Sequence, residues 1–276
     1  MTSRHFQFHR TALVPLLAGG LLAAALPARA QTILDQQMEQ PGAADQSVLG
    51  HWDVTLGVGP GYAPRFEGAK RYHFVPVPYG VVSVSGLAAL GPDGLSANIL
   101  HAGGFRAGVV AGYGNGRDQS DDPHLRGLGD ISASLQLGGF VAYRWEALEV
   151  RAQARQSVTH TGNGLEGTLG VTYELHPAEG WMVKAGPQLV FADGDYMKTF
   201  FGVSADQARA SGLRAYSAGG GLKDVALGLN TTYALSQHWL AFGIVKLSEL
   251  VGDAADSPIT QSKQQAFTGV GLAYHF

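Results

Sequence analysis

The stretch Leu222–Leu235, with the sequence LKDVALGLNTTYAL, decides the fold class. Val225, Leu227 and Leu229 fall on one face of it, and the positions between them, beginning with Asp224, are polar or small. A period of two is typical of a β-strand whose two faces meet different environments. The stretch therefore predicts a strand with one apolar face.

The same period recurs along most of the chain after residue 50. It is present in the runs Trp52–Tyr62, Ile131–Trp145, Leu148–Arg155, Thr168–Leu175, Trp181–Phe191 and Ala266–Phe276. Period alone fits a soluble barrel as well as a membrane barrel. Aromatic residues gather at the ends of the apolar faces, as interfacial girdles require, and the opposite faces are rich in Gly and Ala.

The choice between the two barrels depends on what surrounds the apolar faces. No long apolar run follows residue 30, and a closed barrel is the non-helical structure that satisfies its whole backbone in lipid. Together with the girdles, this favours lipid outside. The sequence therefore predicts an all-β, antiparallel transmembrane β-barrel of the bacterial outer membrane.

Composition agrees with a barrel and excludes several other classes of protein. Of the 276 residues, 39 are Gly, about twice the usual share, and charged residues are 15%, where about 25% is typical. The net charge of −3 argues against a nucleic-acid-binding protein. The absence of Cys excludes a disulfide scaffold, a thiolate zinc site and a Cys nucleophile.

The first 30 residues have the pattern of a cleavable signal peptide. Arg4 and Arg10 give a basic start, residues 11–27 carry no charge, and Ala28 and Ala30 flank Arg29 before the expected cleavage site. A membrane anchor is the alternative interpretation. Residues 31–49 are polar and aperiodic, so we expect a flexible periplasmic segment, followed by the barrel over residues 50–276.

Connection lengths set the expected orientation of the barrel. Short turns are expected at Arg144–Ala147, His176–Gly180 and Ser236–His238, and longer loops at Ala63–Arg71, Asn115–Asp130, Asp193–Gly221 and Gly252–Lys263. Short periplasmic turns alternating with long extracellular loops are typical of outer-membrane barrels. Both termini then lie in the periplasm, which requires an even number of strands.

The strand number depends on the region between residues 72 and 113. The runs Phe74–Tyr79, Val81–Ala89, Leu95–His101 and Phe105–Tyr113, taken as four strands, give twelve in total. Merging them into two strands gives ten, and twelve is the first choice. Pro76 and Pro78 predict a bulged or partly unpaired segment.

Several motifs in this barrel resemble the MipA/OmpV family of MltA-interacting proteins. The matching stretches, in order along residues 50–276, are Gly59–Pro64, Leu125–Asp130, Phe200–Ser204, Ala208–Tyr216, Gly221–Asp224, Asp253–Pro258 and Gly271–Phe276. The resemblance implies an outer-membrane barrel. It also implies a scaffold role, since one member is regarded as joining a lytic transglycosylase to a murein synthase. The family supplies no catalytic residues to carry over.

The segment Ser204–Gly212 has the pattern of a capped helix, with Ser204 and Gln207 spaced as a capping box and Gly212 at the C-terminus. One interpretation is an ordered turn that covers the barrel mouth. The other is a recognition surface, whose candidate residues are Phe201, Gly202, Ser204, Arg209, Arg214 and Tyr216. Arg209 and Arg214 are then the expected contacts with anionic groups such as lipopolysaccharide phosphates.

Charged residues on the inward faces are candidates for the barrel lumen: Asp53, Glu149, Arg151, Arg155, Glu174, Lys184 and Asp224, with Lys246 as a further candidate. Because unpaired charges are costly in a narrow interior, we expect ion pairs in preference to an ion-selective pathway. The terminal aromatics Tyr274 and Phe276 resemble the C-terminal signal that the barrel assembly machinery reads.

The sequence indicates no enzyme, metal or cofactor. The histidines are scattered without ligand spacing, and His160 near Ser157 lacks a recognisable catalytic motif. Three functions remain open: a scaffold for a murein hydrolase and a murein synthase, a channel for small solutes or antibiotics, and a surface adhesin or receptor. The expected surroundings are outer-membrane lipids and lipopolysaccharide.

Overall fold

The computed structural model describes residues 52–84, 88–91 and 94–276. The expected signal peptide, residues 1–30, and the expected N-terminal segment, residues 31–49, lie outside the described residues. Across those ranges, the chain forms one closed antiparallel barrel in which each strand pairs with its sequence neighbours and the last pairs with the first.

The described residues form twelve strands. They are β1 (Trp52–Pro64), β2 (Tyr72–Val84), β3 (Ala88–Gly91), β4 (Gly94–Ala102), β5 (Phe105–Gly114), β6 (Ser134–Trp145), β7 (Leu148–Ser157), β8 (Leu165–Ala178), β9 (Trp181–Ala192), β10 (Gly221–Ala234), β11 (Trp239–Leu250) and β12 (Gln264–His275). The predicted fold class and the count of twelve are confirmed, and the alternative of ten is wrong.

The predicted division of the second strand is wrong. Phe74–Tyr79 and the first half of Val81–Ala89 form one strand, because Gly80 continues the ladder opposite Leu56. Pro60 on β1 lies opposite Pro76 on β2. Because proline has no N–H, these two residues cannot exchange backbone hydrogen bonds, so the pair is a non-hydrogen-bonded one. The N–H that Pro76 lacks would therefore have pointed away from β1, towards the β3 side of the strand. There, among the described residues, only Val82–Val84 pair with β3.

Apolar, exposed side chains face outward on all sides of the barrel. Examples spread around the wall are Val58, Leu137, Leu169, Leu227 and Val270, which are 63%, 47%, 41%, 53% and 60% exposed. An apolar surface this continuous is unfavourable in water. Lipid therefore surrounds the wall. Among the described residues, no helix is long and apolar enough to cross a membrane.

Part of the inner wall is also apolar. Val75 and Val77 on β2 pack with Phe242, Ile244 and Phe267 on β11 and β12. The ring of Tyr79 stacks on Phe242 with 4.7 Å between centroids. Most charged side chains of the lumen lie on the rest of the wall, from β5 to β10, with Asp53 on β1 and Lys246 on β11 as exceptions.

The two ends of the barrel differ in their connections. At the end that holds residue 52 and the C-terminus, the described hairpins turn within two to four residues, as between Trp145 and Leu148. This is the periplasmic end, because both termini of a barrel with an even strand number lie there. At the extracellular end most of the connections are longer, and two of them contain the helices α1 (Gly194–Phe201), α2 (Ala205–Ser211) and α3 (Gly252–Asp256).

Four extracellular loops pack together over the barrel mouth. We call these residues the cap: 65–71, 115–133, 193–220 and 251–263. One apolar cluster joins Phe66, Leu125, Leu128, Val203 and Ile259, so it contains a residue from each of the four loops. Since these loops arise from different sides of the wall, their shared core covers the mouth.

Candidate functional site

The charged side chains inside the barrel form two clusters, one near each end. The extracellular cluster is centred on Lys223, which is 3% exposed. Its Nζ lies 2.6 Å from Glu166 Oε2, 3.0 Å from Glu67 Oε1 and 3.2 Å from the Tyr196 hydroxyl. Three acceptors use the three N–H donors of an ammonium group.

Lys223 enters the lumen because the strand is irregular at this point. Strict alternation from Val225 places Lys223 on the lipid face. The register between β10 and β9 shifts between Leu222 and Asp224, which is a β-bulge. A bulge adds one residue to one strand, so two consecutive side chains can point to the same face. Lys223 and Asp224 therefore both lie inside.

A cavity of about 110 Å³ adjoins this cluster beneath the cap. Asp224 lines it and is 4% exposed, and its Oδ1 atom has no hydrogen-bond partner. Asp224 Oδ2 lies 3.7 Å from Lys223 Nζ, outside hydrogen-bond distance. Lys246, Thr168 and Ser248 line the same cavity from β11 and β8.

The periplasmic cluster spans the wall from β5 to β9. Glu149 Oε2 accepts from Arg106, at 2.7 Å, and pairs with Arg144 at 3.1 Å. Glu174 Oε2 continues the chain, 3.2 Å from Arg144 and 3.4 Å from Lys184. Because each acid contacts two bases, the cluster is a network of alternating charge inside the wall.

The remaining predicted lumen charges lie on inward positions of the wall. The Arg151 guanidinium lies 3.9 Å from the centroid of the Phe140 ring and donates to Gln153. Arg155 lies opposite Gly138 and Glu166 in the ladder. Asp53 is at the periplasmic rim, where its carboxylate lies 3.5 Å from His275 Nδ1.

Hydrogen bonds between loops hold the cap together. Arg117 donates to the Phe200 carbonyl at 2.7 Å, and Gln207 donates to the Leu128 carbonyl at 2.6 Å. The Ser257 hydroxyl donates to the Phe201 carbonyl at 2.6 Å. Each bond joins the 193–220 loop to another loop. Arg65 in the 65–71 loop donates to the Asp121 carbonyl at 3.0 Å, so all four loops of the cap are connected.

Two cap residues have perturbed pKa values because they are buried. Burial raises the pKa of the Tyr196 phenol well above its ordinary value, with Glu67 adding to the effect. Burial lowers the pKa of Arg117 to about 10, although the charges of Glu67 and Asp121 oppose the change. At neutral pH, Tyr196 is thus a neutral donor and Arg117 is still a cation.

The candidate recognition residues lie in different parts of the cap. Phe201 is 0% exposed and lies in an apolar cluster with Met197 and Leu250, so its placement on a contact surface is corrected. Gly202 is buried as well, and it ends α1. Ser204 caps α2 with the reciprocal bonds to Gln207.

The three other candidates are at least partly accessible. Arg209 is exposed and forms an ion pair with Asp206. Arg214 is exposed too, and it donates to the Asp256 carbonyl and covers the Tyr216 ring. The Tyr216 hydroxyl donates to the Asp253 carbonyl at 3.0 Å. Both arginines therefore already have partners within the cap.

The C-terminal aromatics lie in a cluster at the periplasmic end. Tyr274 meets Trp239 and Phe276 edge to face, with 5.2 Å and 4.9 Å between ring centroids, and stacks on His238. Phe276 is 70% exposed. These rings form part of the periplasmic girdle.

Sequence reasoning missed four charged residues that the structure places in the clusters or the cap: Lys223, Arg106, Arg144 and Arg117. A detectable feature existed for Lys223, since a lysine on a lipid-facing position is costly and suggests a bulge. Arg106 and Arg144 occupy inward positions of the alternating pattern. Arg117 lies in a loop without periodicity, so its burial depends on contacts that the sequence does not reveal.

Comparison with known proteins gives distant relatives in the outer membrane. The chain is 25% identical over 185 residues to outer membrane protein Omp26La of Vibrio anguillarum. The aligned region covers 66% of this chain and 68% of the relative. The same identity and coverage hold for outer membrane protein OmpV of Vibrio cholerae serotype O1. These relatives agree with the lipid-facing wall in placing the protein in the outer membrane.

Solved structures resemble the barrel only loosely. An outer membrane channel from Pseudomonas putida F1 matches with a TM-score of 0.38 and 10% identity, covering 85% of this chain and all of the channel. Such a likeness does not bear on what this chain binds or conducts. The profile of the family described as MltA-interacting protein MipA, in contrast, matches residues 56–276, which is almost the whole barrel. The chain belongs to this MipA family.

Proposed function

We propose that this protein is a non-enzymatic docking scaffold, which holds a murein hydrolase and a murein synthase at the periplasmic face of the outer membrane. The observation that carries the proposal is the contrast between the two ends: four loops share an apolar core at the extracellular mouth, whereas the described connections at the periplasmic end are short turns. The family's description as MltA-interacting supports it.

The charge of the periplasmic rim supports docking of a basic partner. Among the described residues at this end, the exposed ionised side chains other than histidine are Asp53, Glu146 and Glu179, and all three are acidic. Glu146 is held in a tight turn with a φ of 53°, so its position is fixed by the backbone. Complementary charge increases the rate and the specificity of association.

The absence of a catalytic motif around the candidate hydrolase residues supports a non-enzymatic role. The Ser157 hydroxyl is fully buried and is 3.0 Å from the Ser134 hydroxyl. His160 is exposed and precedes a short 3₁₀ turn. A buried hydroxyl paired with another serine is not available to a substrate, as a nucleophile must be.

Capture of purified enzymes on immobilised barrel tests the proposal. We expect a lytic transglycosylase and a murein synthase to be enriched on this barrel over an unrelated outer-membrane barrel. The double variant Glu146→Lys with Glu179→Lys reverses the rim charge and is expected to reduce capture at least about tenfold. The matched control, Asp195→Lys with Asp206→Lys in the cap, retains capture.

One outcome contradicts the scaffold, and a second contradicts the docking site assigned to it. Equal recovery on the unrelated barrel removes the docking function. Full capture by the rim variant, at low salt where charge effects are largest, removes the assignment of docking to the acidic rim.

A surface-binding role is the second candidate, and the distribution of basic residues favours it. The exposed Lys and Arg side chains of the described residues all lie in the cap: Arg65, Lys70, Arg71, Arg126, Lys198, Arg209, Arg214 and Lys263. Arginine and lysine side chains at the extracellular end of the barrel are suited to bind phosphates such as those of lipopolysaccharide. Replacing Lys70, Arg126 and Lys198 with Gln is expected to weaken co-purification with lipopolysaccharide, and unchanged co-purification contradicts the role.

A further inference from the structure

We propose that the cavity beneath the cap binds a small zwitterionic solute of the α-amino acid class. Asp224 would accept a hydrogen bond from the ammonium group of the solute, and Lys246 would donate a hydrogen bond to the carboxylate of the solute. This inference is independent of the docking scaffold, because the cavity lies inside the barrel at the end opposite to the periplasmic rim.

The first argument is the unsatisfied carboxylate of Asp224. Its side chain is buried and lines the cavity, and Oδ1 has no hydrogen-bond partner. Lys223 does not satisfy it, because the three donors of that ammonium are directed to Glu166, Glu67 and Tyr196. A buried carboxylate oxygen without a donor is costly. A donor entering the cavity removes this cost.

The second argument is the excess of negative charge around the cavity. Its lining contains the carboxylates of Glu67, Glu166 and Asp224 against the ammonium groups of Lys223 and Lys246. The local excess of carboxylates favours a positively charged group next to Asp224. Among the described residues no group of His, Asp and Glu is arranged to hold a metal ion, since Lys223 occupies the point where these carboxylates converge. The group that meets Asp224 is therefore better an ammonium group than a metal ion, and the carboxylate of the same solute pairs with Lys246.

The third argument is the position of Lys246. It lies opposite Gly228 on β10, whereas Asp224 lies opposite Leu250, four residues further along β11. The two backbone positions are separated by about 13 Å along the strands. No carboxylate of the described residues lies within 4.0 Å of Lys246. Lys246 and Asp224 thus line the same cavity with opposite charges.

The size and polarity of the cavity fit a small organic solute. About 10–15 Å³ suffices for one water, so a volume near 110 Å³ holds several waters or one small molecule. The Thr168 and Ser248 hydroxyls line the same space and have no hydrogen bond to another described residue. They provide further polar contacts between the two charged ends of the solute.

Equilibrium dialysis of radiolabelled L-alanine against the purified full chain in detergent tests the inference. We expect saturable binding at one site, with ethylamine and acetate each competing at least about tenfold less well than unlabelled alanine. Asp224→Asn and Lys246→Gln are each expected to weaken binding at least about tenfold. Arg151→Gln, which removes a lumen charge outside the cavity, retains the affinity of the wild type.

Folding of each variant is checked by its heat-modifiable migration in detergent gels. Thr168→Val keeps the shape of its side chain and removes one hydroxyl, so it gives a milder loss of affinity if Asp224→Asn does not fold. Absence of saturable alanine binding to the wild type overturns the site. Equal competition by ethylamine, together with an unaffected Lys246→Gln variant, overturns the zwitterionic ligand. Neither result changes the capture of murein enzymes at the opposite end.

Discussion

Lys223 and Asp224 are consecutive in the chain, yet both side chains lie inside the barrel, with 3.7 Å between Nζ and Oδ2. The bulge at Leu222 makes this possible, and it brings three carboxylates and one phenol around a single ammonium group. The pairing of Lys223 with Glu67 also ties β10 to the β1–β2 loop of the cap. The cluster therefore links the wall of the barrel to the cap.

Replacing the central lysine tests the importance of this link. Lys223→Met leaves Glu67 and Glu166 buried without their main partner, and breaking a buried ion pair in this way costs about 3–5 kcal/mol. Urea unfolding in detergent, followed by tryptophan fluorescence, measures the loss. Lys263→Met removes the exposed pair with Asp256 and is expected to change the free energy of unfolding by less than about 0.5 kcal/mol. Equal effects of the two variants contradict the central role of Lys223.

The apolar core of the cap is tested by Phe201→Ala. The Phe201 ring is fully buried, and truncation of such a ring costs about 3–5 kcal/mol. We expect the cap to open more often, so that trypsin cleaves after Lys198 and Arg209 faster than in the wild type while the barrel remains intact. Phe74→Ala, at a ring that is 79% exposed on the outer wall, leaves the cleavage rate unchanged. A cleavage rate of Phe201→Ala equal to that of the wild type shows that the loops do not form a packed cap.

The cap is also expected to block conduction. Four loops share one apolar core over the mouth, so the wild type should give no discrete conductance steps in planar bilayers. Replacing residues 194–219 with a short Gly-Ser linker removes α1 and α2 and is expected to produce steps, because the lumen beneath is lined by charged and polar side chains. Steps of the same size in both proteins contradict a closed mouth.

The buried phenol of Tyr196 predicts a dependence of cap stability on pH. Its pKa in the folded protein is well above the value of about 10 in an unfolded chain. Folding therefore holds the phenolic proton more tightly, so the contribution of Tyr196 is constant below pH about 10 and is lost as the pH rises further. Ionisation of the Tyr196 phenol is measured as the tyrosinate absorbance of the wild type minus that of Tyr196→Phe. We expect this difference to be zero at pH 10. A difference titrating with its midpoint near pH 10 contradicts the burial of this phenol.

The regular parts of the barrel could be predicted from the sequence, because strand faces follow from a period of two. Leu227 and Leu229 face lipid and Lys184 faces the lumen, as alternation requires. The capping box of Ser204 and Gln207 is equally local. Each of these features depends on residues that are close together in the chain.

The irregular parts could not be predicted in detail, because their contacts join residues that are distant in the sequence. The bulge that turns Lys223 inward is stabilised by Glu67 and Glu166, which are far from it in the chain. Phe201 is buried by packing between loops, although its position in a long extracellular loop suggested a contact surface. The predicted break between Tyr79 and Val81 is absent, because Gly80 also pairs with β1.

The central claim is that lipid surrounds the apolar faces of the strands, and site-directed spin labelling tests it most directly. Since the chain contains no Cys, single cysteines at neighbouring positions of β6 carry the label without background. We expect a label at Leu137→Cys to be accessible to oxygen and shielded from a nickel chelate in outer-membrane vesicles, because Leu137 is 47% exposed on the outer wall. A label at Gln136→Cys, one residue away, should face the lumen and be shielded from lipid. Access of the nickel chelate to Leu137→Cys as high as to Asp206→Cys, at an exposed position of the cap, would contradict a lipid-embedded barrel.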